Sequence, residues 1–300
     1  MPKKIFVAII GAGDMGQAIA GLVTRPFASV DLWDAEEGKV PNQQPMENII
    51  SRADVVFFCV PSWALGSAVR ACVPHLKPKA VVVSISKGIE GATGKTMDAY
   101  WPCVLPEGQP FALLIGPMLA REIREGLGAA AMVAVKDRKT FTRVASLFDG
   151  NTIRLEYTRD VKGMALVSVL KNIYSLAMGV ADGLGWGGNR QGWLAGRAIQ
   201  EMGGILRDLG VKKDVLFSVA GIADFLATGY CASSHNRKSG HELVLSGVEN
   251  IKSEGTVSLP PLYAQLGERA QAYPLLTILE RVLVAREKPL PLFDDYFRGA

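Results

Sequence analysis

The stretch Ile5-Phe-Val-Ala-Ile-Ile-Gly-Ala-Gly-Asp-Met-Gly16 decides the fold of the N-terminal half. Its first six residues are a continuous apolar run, which is typical of a central parallel strand. Gly11 permits a tight turn, Gly13 lets the backbone approach a pyrophosphate, and Gly16 lets the following helix pack closely on the strand. The stretch therefore predicts a dinucleotide-binding unit whose helix amides hold phosphate. The alternative is a glycine-rich turn in another α/β domain.

An acidic residue follows the second predicted strand, residues 29–33. Asp34 lies 18 residues after Gly16, close to the offset of about 20 residues at which a carboxylate accepts the ribose 2′-hydroxyl. Because a carboxylate there repels a 2′-phosphate, the sequence favours NAD over NADP. In the alternative interpretation, Asp34 or the neighbouring Glu36 or Glu37 caps the next helix.

Three further apolar runs, at residues 54–60, 80–85 and 111–115, predict more strands of the same sheet. Pro61, Lys87 and Gly116 follow these runs closely. Ligands bind at the carboxyl ends of strands in such sheets, so we expect Lys87 to contact a phosphate or the nicotinamide pocket. The alternative is an ordinary solvated loop lysine. Residues 129–135 and 152–155 are predicted to close the sheet.

In the second half, apolar residues recur at helical spacing from Leu166 to Val180 around a single cation, Lys171. We predict a buried core helix, because this run is too short and too interrupted to span a bilayer. The lysine either extends its ammonium to the surface or lines a cavity in which burial lowers its pKa. Only helical patterns follow, so we predict an α/β domain over 1–157 and an all-helical domain over 158–300.

Composition excludes several classes of protein. The balance of 33 basic and 29 acidic residues gives a formal charge of +4 without a basic run, which argues against a nucleic-acid partner and suits a small anionic substrate. The four cysteines lack metal-ligand spacing, so no metal site is expected. Since a strand-like run begins at Ile5, no signal peptide is expected, and we predict a cytoplasmic protein without a membrane partner.

Taken together, these segments resemble the NAD(P)-dependent glycerol-3-phosphate dehydrogenase family over nearly the whole chain. The matching residues are 11–16, 86–90, 116–117, 120, 122, 171–173, 179, 182–185, 189, 197, 201–202, 220–224, 234–237, 240 and 254–255. The resemblance implies a Rossmann-type N-terminal domain and an all-α C-terminal domain like that of 6-phosphogluconate dehydrogenase. It also implies a homodimer, a place in glycerophospholipid metabolism, and reversible reduction of dihydroxyacetone phosphate to sn-glycerol 3-phosphate by a nicotinamide.

The resemblance also assigns roles to individual residues. Lys171 matches a proton-transfer lysine, and Asp224 matches an acidic residue that holds Lys171 or a substrate hydroxyl; the alternative for Asp224 is a helix N-cap. The expected catalytic residues are Lys171, Lys87 and Asp224. The expected cofactor contacts are Gly11, Gly13, Asp14, Met15, Gly16, Asp34, Pro61, Lys87, Ala120 and Glu254. The expected substrate contacts are Lys87, Gly116, Lys171, Asp224, Ser234, His235, Asn236 and Arg237, of which 234–237 resemble a phosphate-binding loop.

The chain departs from the family pattern at four positions. Met118 stands where the family has a serine, and His235 replaces an arginine, which removes a permanent charge. Ala35 replaces a cofactor-discriminating arginine, which again favours NAD, and Ala165 replaces a glutamate. Two alternatives therefore stay open: a related dehydrogenase that acts on another phosphorylated or acidic hydroxy or keto compound, and a non-catalytic dinucleotide-binding sensor.

Overall fold

The computed structural model describes residues 4–23, 28–247 and 251–299. The chain divides into two compact units, residues 1–165 and 166–300. The first unit is an α/β domain built on a mostly parallel sheet, and the described residues of the second unit contain only helices and connecting loops. The predicted fold class, a Rossmann-like domain followed by a helical domain, is confirmed.

One sheet runs through the described part of the first unit. Its strands are β1 (Ile5–Ile10), β2 (Ala28–Trp33), β3 (Val55–Phe58), β4 (Val81–Ser84), β5 (Phe111–Ile115), β6 (Ala129–Ala134) and β7 (Ile153–Thr158). They lie in the order β2-β1-β3-β4-β5-β6-β7, and only β6 pairs with β5 in the antiparallel direction. Because β2 and β3 lie on opposite sides of β1, the carboxyl end of β1 is the switch point at which such sheets bind ligands.

The helices of the first unit pack on this sheet. They are α1 (Asp14–Leu22), α2 (Met46–Arg52), α3 (Ser62–Cys72), α4 (Met97–Val104), α5 (Ala120–Arg124) and α6 (Arg138–Ala145). Every residue of β3 and β4 is buried, and so are the last four residues of β1. The continuous apolar runs of the sequence are thus the buried centre of the sheet, as predicted.

The remaining helices follow in chain order. They are α7 (Val161–Gly183), α8 (Gly188–Asp208), α9 (Asp224–Tyr230), α10 (His235–Leu245), α11 (Glu254–Leu266), α12 (Pro274–Leu283) and α13 (Pro289–Arg298). The segment Val219–Ala223 directly precedes α9, and it is kinked at Gly221, whose backbone angles are not helical (φ −93°, ψ −107°).

Helix α7 is longer than its apolar core suggested. With 23 residues it is long and apolar enough to cross a membrane by length and composition alone, so the argument that the run is too short was wrong. Its most apolar window is nevertheless entirely buried within the protein. The helix therefore has the burial of a core helix, as predicted.

A buried carboxylate joins three helices of the second unit. Glu201 of α8 accepts hydrogen bonds from the hydroxyl of Tyr174 (2.7 Å) and from the backbone amides of Leu275 (2.8 Å) and Leu276 (3.0 Å) at the start of α12. Burial raises the pKa of Glu201 above its ordinary value, although these hydrogen bonds oppose the shift. Glu201 thus supplies, from another helix, the acceptor that the first turn of α12 requires.

Candidate active site

The glycine loop after β1 has the shape required by a pyrophosphate. Gly11 has a φ of +98°, and a Cβ on it would lie 2.8 Å from the carbonyl oxygen of Cys59. A Cβ on Gly16 would lie only 1.9 Å from the carbonyl oxygen of Gly11, whereas a Cβ on Gly13 would meet nothing within 4 Å. The first and third glycines are therefore required by packing. Gly13, the N-cap of α1, leaves open space next to the helix amides, so the loop fits a dinucleotide phosphate.

The other two loop residues are placed differently. The exposed carboxylate of Asp14 forms an ion pair with Arg124 of α5 at 2.7 Å. Met15 is partly buried and packs against the hydrophobic core of the first unit. Both side chains thus have partners within their own unit.

Asp34 lies beside this loop. Its Oδ2 atom accepts a hydrogen bond from the backbone amide of Ala12 at 2.7 Å, and its Oδ1 atom accepts one from the amide of Glu36 at 3.0 Å. Partial burial raises the pKa of Asp34, but these amides and the ammonium of Lys39 outweigh that effect and hold the pKa below its ordinary value. The next helix, α2, has Pro45 as its N-cap, so the helix-capping alternative was wrong.

Lys87 and Gly116 come together at the carboxyl edge of the sheet. The ammonium of Lys87, after β4, donates to the carbonyl oxygen of Gly116, after β5, at 2.9 Å. The hydroxyl of Ser86 donates to the carbonyl oxygen of Val60 at 2.7 Å and so joins the ends of β4 and β3. Lys87 is half-buried rather than a fully solvated loop lysine. Pro61, which comes after β3, is the N-cap of α3 and lies at the same edge of the sheet.

The residues after Gly116 belong largely to the core. Met118 is 4% exposed and packs within the hydrophobic core of the first unit. Ala120, the first residue of α5, is partly buried against the same core. The thioether of Met118 therefore fills space in the interior of this unit.

The cation in α7 does not reach the surface, so the surface-extension alternative for it was wrong. Lys171 is 3% exposed, and its Nζ donates to the Oδ1 atom of Asp224 (3.1 Å) and to the hydroxyl oxygen of Thr228 (3.0 Å). That hydroxyl in turn donates to the same carboxylate oxygen at 3.1 Å. The three side chains form a closed, buried triangle that holds the ammonium in one position.

The sequence did not single out Thr228. It lies four residues after Asp224, so both side chains lie on the same face of α9. That spacing was the signal that could have found it. Asp224 is the first residue of α9, whose N-cap is Ala223, so the N-cap alternative for Asp224 was wrong.

The segment 234–237 opens α10. Ser234 is the N-cap, and its hydroxyl accepts from the backbone amide of Arg237 at 3.4 Å. Asn236 is buried: its amide nitrogen donates to the side-chain oxygen of Asn172 (2.8 Å), and its oxygen accepts from the amide of Gly255 (2.9 Å). Asn236 therefore joins the start of α10 to α7 and to the start of α11.

The other polar residues of this region have different environments. His235 is exposed, and the guanidinium of Arg237 forms an ion pair with Asp182 of α7 at 2.9 Å. A Cβ on Gly179 would lie 2.0 Å from the carbonyl oxygen of Arg237, so α7 and α10 touch at a glycine. Glu254, half-buried, is the first residue of α11.

The chemistry of these groups defines a class of protein. The first unit offers a phosphate-shaped glycine loop beside a carboxylate, at the position where such sheets bind dinucleotides. The second unit holds a buried amine of the kind that exchanges protons with a substrate. These are the parts of a nicotinamide-dependent oxidoreductase.

Comparisons with known proteins identify the family. Residues 37–141 match the model of the NAD-dependent glycerol-3-phosphate dehydrogenase N-terminus, and residues 160–294 match that of its C-terminus. The glycerol-3-phosphate dehydrogenase [NAD(P)+] 2 of Sphingopyxis alaskensis is 30% identical over 99% of this chain and 96% of its own length. The crystal structure of glycerol-3-phosphate dehydrogenase from Coxiella burnetii, 24% identical, shares the fold with a TM-score of 0.87 over 99% of both chains. The chain belongs to the NAD-dependent glycerol-3-phosphate dehydrogenase family.

Proposed function

We propose that this protein catalyses the reversible, nicotinamide-dependent reduction of dihydroxyacetone phosphate to sn-glycerol 3-phosphate. The observation that carries the proposal is the buried ammonium of Lys171, held by Asp224 and Thr228 in a chain that belongs to this family. A non-catalytic sensor would have no chemical use for a lysine buried in an apolar helix, where its desolvation is costly.

The reaction requires a hydride and a proton. The nicotinamide, when bound, supplies the hydride. Lys171 donates the proton to the oxygen that becomes the hydroxyl, and it accepts that proton in the reverse direction. Asp224 and Thr228 fix the position of the lysine nitrogen and stabilise its protonated form, so little reorganisation is needed when the substrate binds.

The substrate phosphate is bound, in this proposal, by the start of α10. Backbone amides in the first turn of an 11-residue helix favour an anion, and the hydroxyl of Ser234 lies at the same turn. Asn236, Arg237 and the exposed His235 complete the phosphate-binding set. In the first unit, Lys87 and Gly116 contact substrate, and Lys87 also contacts cofactor.

We assign most cofactor contacts to residues 1–157 and most substrate contacts to residues 158–300. The pyrophosphate lies at the glycine loop of residues 11–16, and Pro61, Ala120 and Glu254 are further cofactor contacts. NAD is preferred over NADP because the carboxylate of Asp34, already oriented by two backbone amides, accepts a ribose hydroxyl and repels a phosphate. The protein requires no metal ion in this proposal.

The proposal extends to assembly and location. The protein is a cytoplasmic homodimer that acts on a small phosphorylated substrate, without a nucleic-acid or membrane partner. Size-exclusion chromatography with light scattering would measure the mass directly. A mass of one chain of 32.2 kDa at all concentrations would contradict the dimer without affecting the proposed reaction.

The reaction is tested by the absorbance of the reduced nicotinamide when the purified protein meets dihydroxyacetone phosphate, with NADH and NADPH in parallel. Lys171→Met removes the proton donor, and we expect the rate to fall by a factor of at least about 100 while NADH binding changes little. Lys139→Gln is the matched control, because Lys139 is an exposed lysine of α6. Circular dichroism verifies that both variants fold.

Each outcome has a distinct meaning. A Lys171→Met variant that keeps most of its rate would contradict the proton-transfer role. A wild-type protein that binds NADH but does not turn over would favour another phosphorylated or acidic substrate, or the sensor. A faster reaction with NADPH would leave the reaction standing and refute the role of Asp34.

A further inference from the structure

A cation lies next to the carboxylate assigned to the adenosine ribose. The ammonium of Lys39 is 3.6 Å from the Oδ2 atom of Asp34, the same oxygen that accepts from the amide of Ala12 in the glycine loop. Lys39 also forms an ion pair with the exposed carboxylate of Glu36 at 2.9 Å. A group that binds to Asp34 at this position therefore comes close to one cation and to a second anion.

The backbone under this cluster is firmly held. The side chain of Gln43 accepts from the backbone amide of Asp34 at 2.8 Å and donates to its carbonyl oxygen at 3.0 Å. This pair of hydrogen bonds fixes Asp34 at the end of β2. Since the carboxylate is oriented by the amides of Ala12 and Glu36 as well, the more adjustable charge in the cluster is the ammonium of Lys39 at the end of its flexible side chain.

We propose that Lys39 is a specificity-determining residue that admits a 2′-phosphate on the adenosine ribose, and that Glu36 restrains it by holding its ammonium. The inference rests on the proposed function, because it concerns the same cofactor site. Asp34 alone would reject a 2′-phosphate by repulsion. With Lys39 beside it, the phosphate gains a charge-assisted hydrogen bond that offsets part of this repulsion. The discrimination between NAD and NADP is therefore a balance of three charges.

The proposal predicts opposite shifts in two variants. In Lys39→Gln the offsetting cation is lost, so affinity for a 2′-phosphorylated nucleotide should fall about tenfold, the effect of losing one hydrogen bond to a charged group. In Glu36→Gln the ammonium loses its competing partner, so the same affinity should rise several-fold. Neither change should alter binding of the nucleotide without the 2′-phosphate by more than about twofold, because an uncharged hydroxyl gains little from a cation.

The test measures equilibrium binding rather than turnover. Isothermal titration calorimetry with 2′,5′-ADP and with 5′-AMP gives the ratio of their affinities for the wild-type protein, Lys39→Gln, Glu36→Gln and the control Lys139→Gln. Lys39→Arg should keep the wild-type ratio, because it keeps the charge. Since the charges of Lys39 and Glu36 are exposed, raising the salt concentration should reduce the difference in affinity ratio between the wild type and Lys39→Gln.

The outcomes separate this inference from the proposed function. A ratio that falls in Lys39→Gln and rises in Glu36→Gln supports the proposal. A ratio that stays as in the wild type in either variant, or that falls equally in the control, overturns it. If the wild-type protein binds neither nucleotide, the proposed cofactor site is itself refuted, and this inference fails with it.

Discussion

The ion pair between Lys171 and Asp224 allows a quantitative prediction. The two charged atoms are 3.1 Å apart, and the side chains are only 4% and 3% exposed. At an effective dielectric constant of about 20, two unit charges at this distance attract each other by about 5 kcal/mol. An exposed pair would contribute at most about 1 kcal/mol. Burial therefore makes this contact far more sensitive to the loss of one partner.

We expect Lys171→Met and Asp224→Asn each to lower the free energy of unfolding of the second unit by about 3–5 kcal/mol, because each leaves an uncompensated buried charge. The double variant removes both charges. Its loss should be smaller than the sum of the single losses by at least about 2 kcal/mol. This coupling energy measures the pair itself rather than the packing of either side chain.

The measurement must report on the second unit alone, because a chain with two units need not unfold in one step. Native-state hydrogen exchange of the α7 amides gives the free energy of opening for that region. Urea unfolding followed by circular dichroism gives the global value. The reasoning is refuted if each single variant loses less than about 1 kcal/mol of unfolding free energy and the two losses simply add in the double variant, because the pair would then behave as a solvated ion pair.

Three further predictions follow from close contacts and burial. Gly16→Ala should lower the free energy of unfolding by about 3 kcal/mol, because its Cβ would lie 1.9 Å from a carbonyl oxygen of the same loop. Gly13→Ala should keep the stability of the wild type and lose affinity for NADH. Thermal melts measure the stability, and titrations measure the affinity. Gly179→Ala should likewise destabilise the contact between α7 and α10. Gly196→Ala should stabilise α8 by about 0.5–1 kcal/mol, because a Cβ on Gly196 would meet nothing within 4 Å. Urea unfolding compares the stability of the two variants. Because the pKa of Glu201 is raised in the folded protein, its contribution to stability is full below the ordinary value of 4.5 and is lost as the pH rises through the folded pKa. In thermal melts across a pH series, the wild type should show this loss of stability with rising pH, and Glu201→Gln should not show it.

Much of the first unit was predictable because local residue types carry direct physical requirements. A continuous apolar run indicates a buried strand or a buried helix, and the glycines that follow Ile10 indicate that this run is a strand. The positions of Gly11 and Gly16 in the structure explain why glycine is needed there. In the second unit, a lone cation in an apolar helix marked Lys171 as unusual, since burial of an unpaired charge is so costly.

Not every partner of these residues could be read from the sequence. Thr228 lies 57 positions from Lys171 in the chain, and only its spacing of four residues from Asp224 sets it apart from other helical threonines. Lys39 carries no signal, because a lysine in a polar loop is usually solvated. The contact between Lys171 and Thr228 arises from tertiary packing, whereas the contacts of Lys39 arise from the local conformation of the loop that holds Asp34 and Glu36. Neither leaves a periodic trace in the sequence.

The start of α10 combines structural contacts with the phosphate site proposed above. An asparagine side chain has one oxygen and two N–H donors, and Asn236 uses the oxygen and one donor to join three helices. The guanidinium of Arg237 is already paired with Asp182, so Arg237 offers little net charge to the phosphate of the proposed substrate. In the proposed function, the affinity of this turn for the substrate phosphate comes mainly from oriented backbone amides and the Ser234 hydroxyl, whose geometry depends on the anchoring of Asn236. The asparagine would then serve the proposed phosphate site chiefly by holding the helix that binds the phosphate.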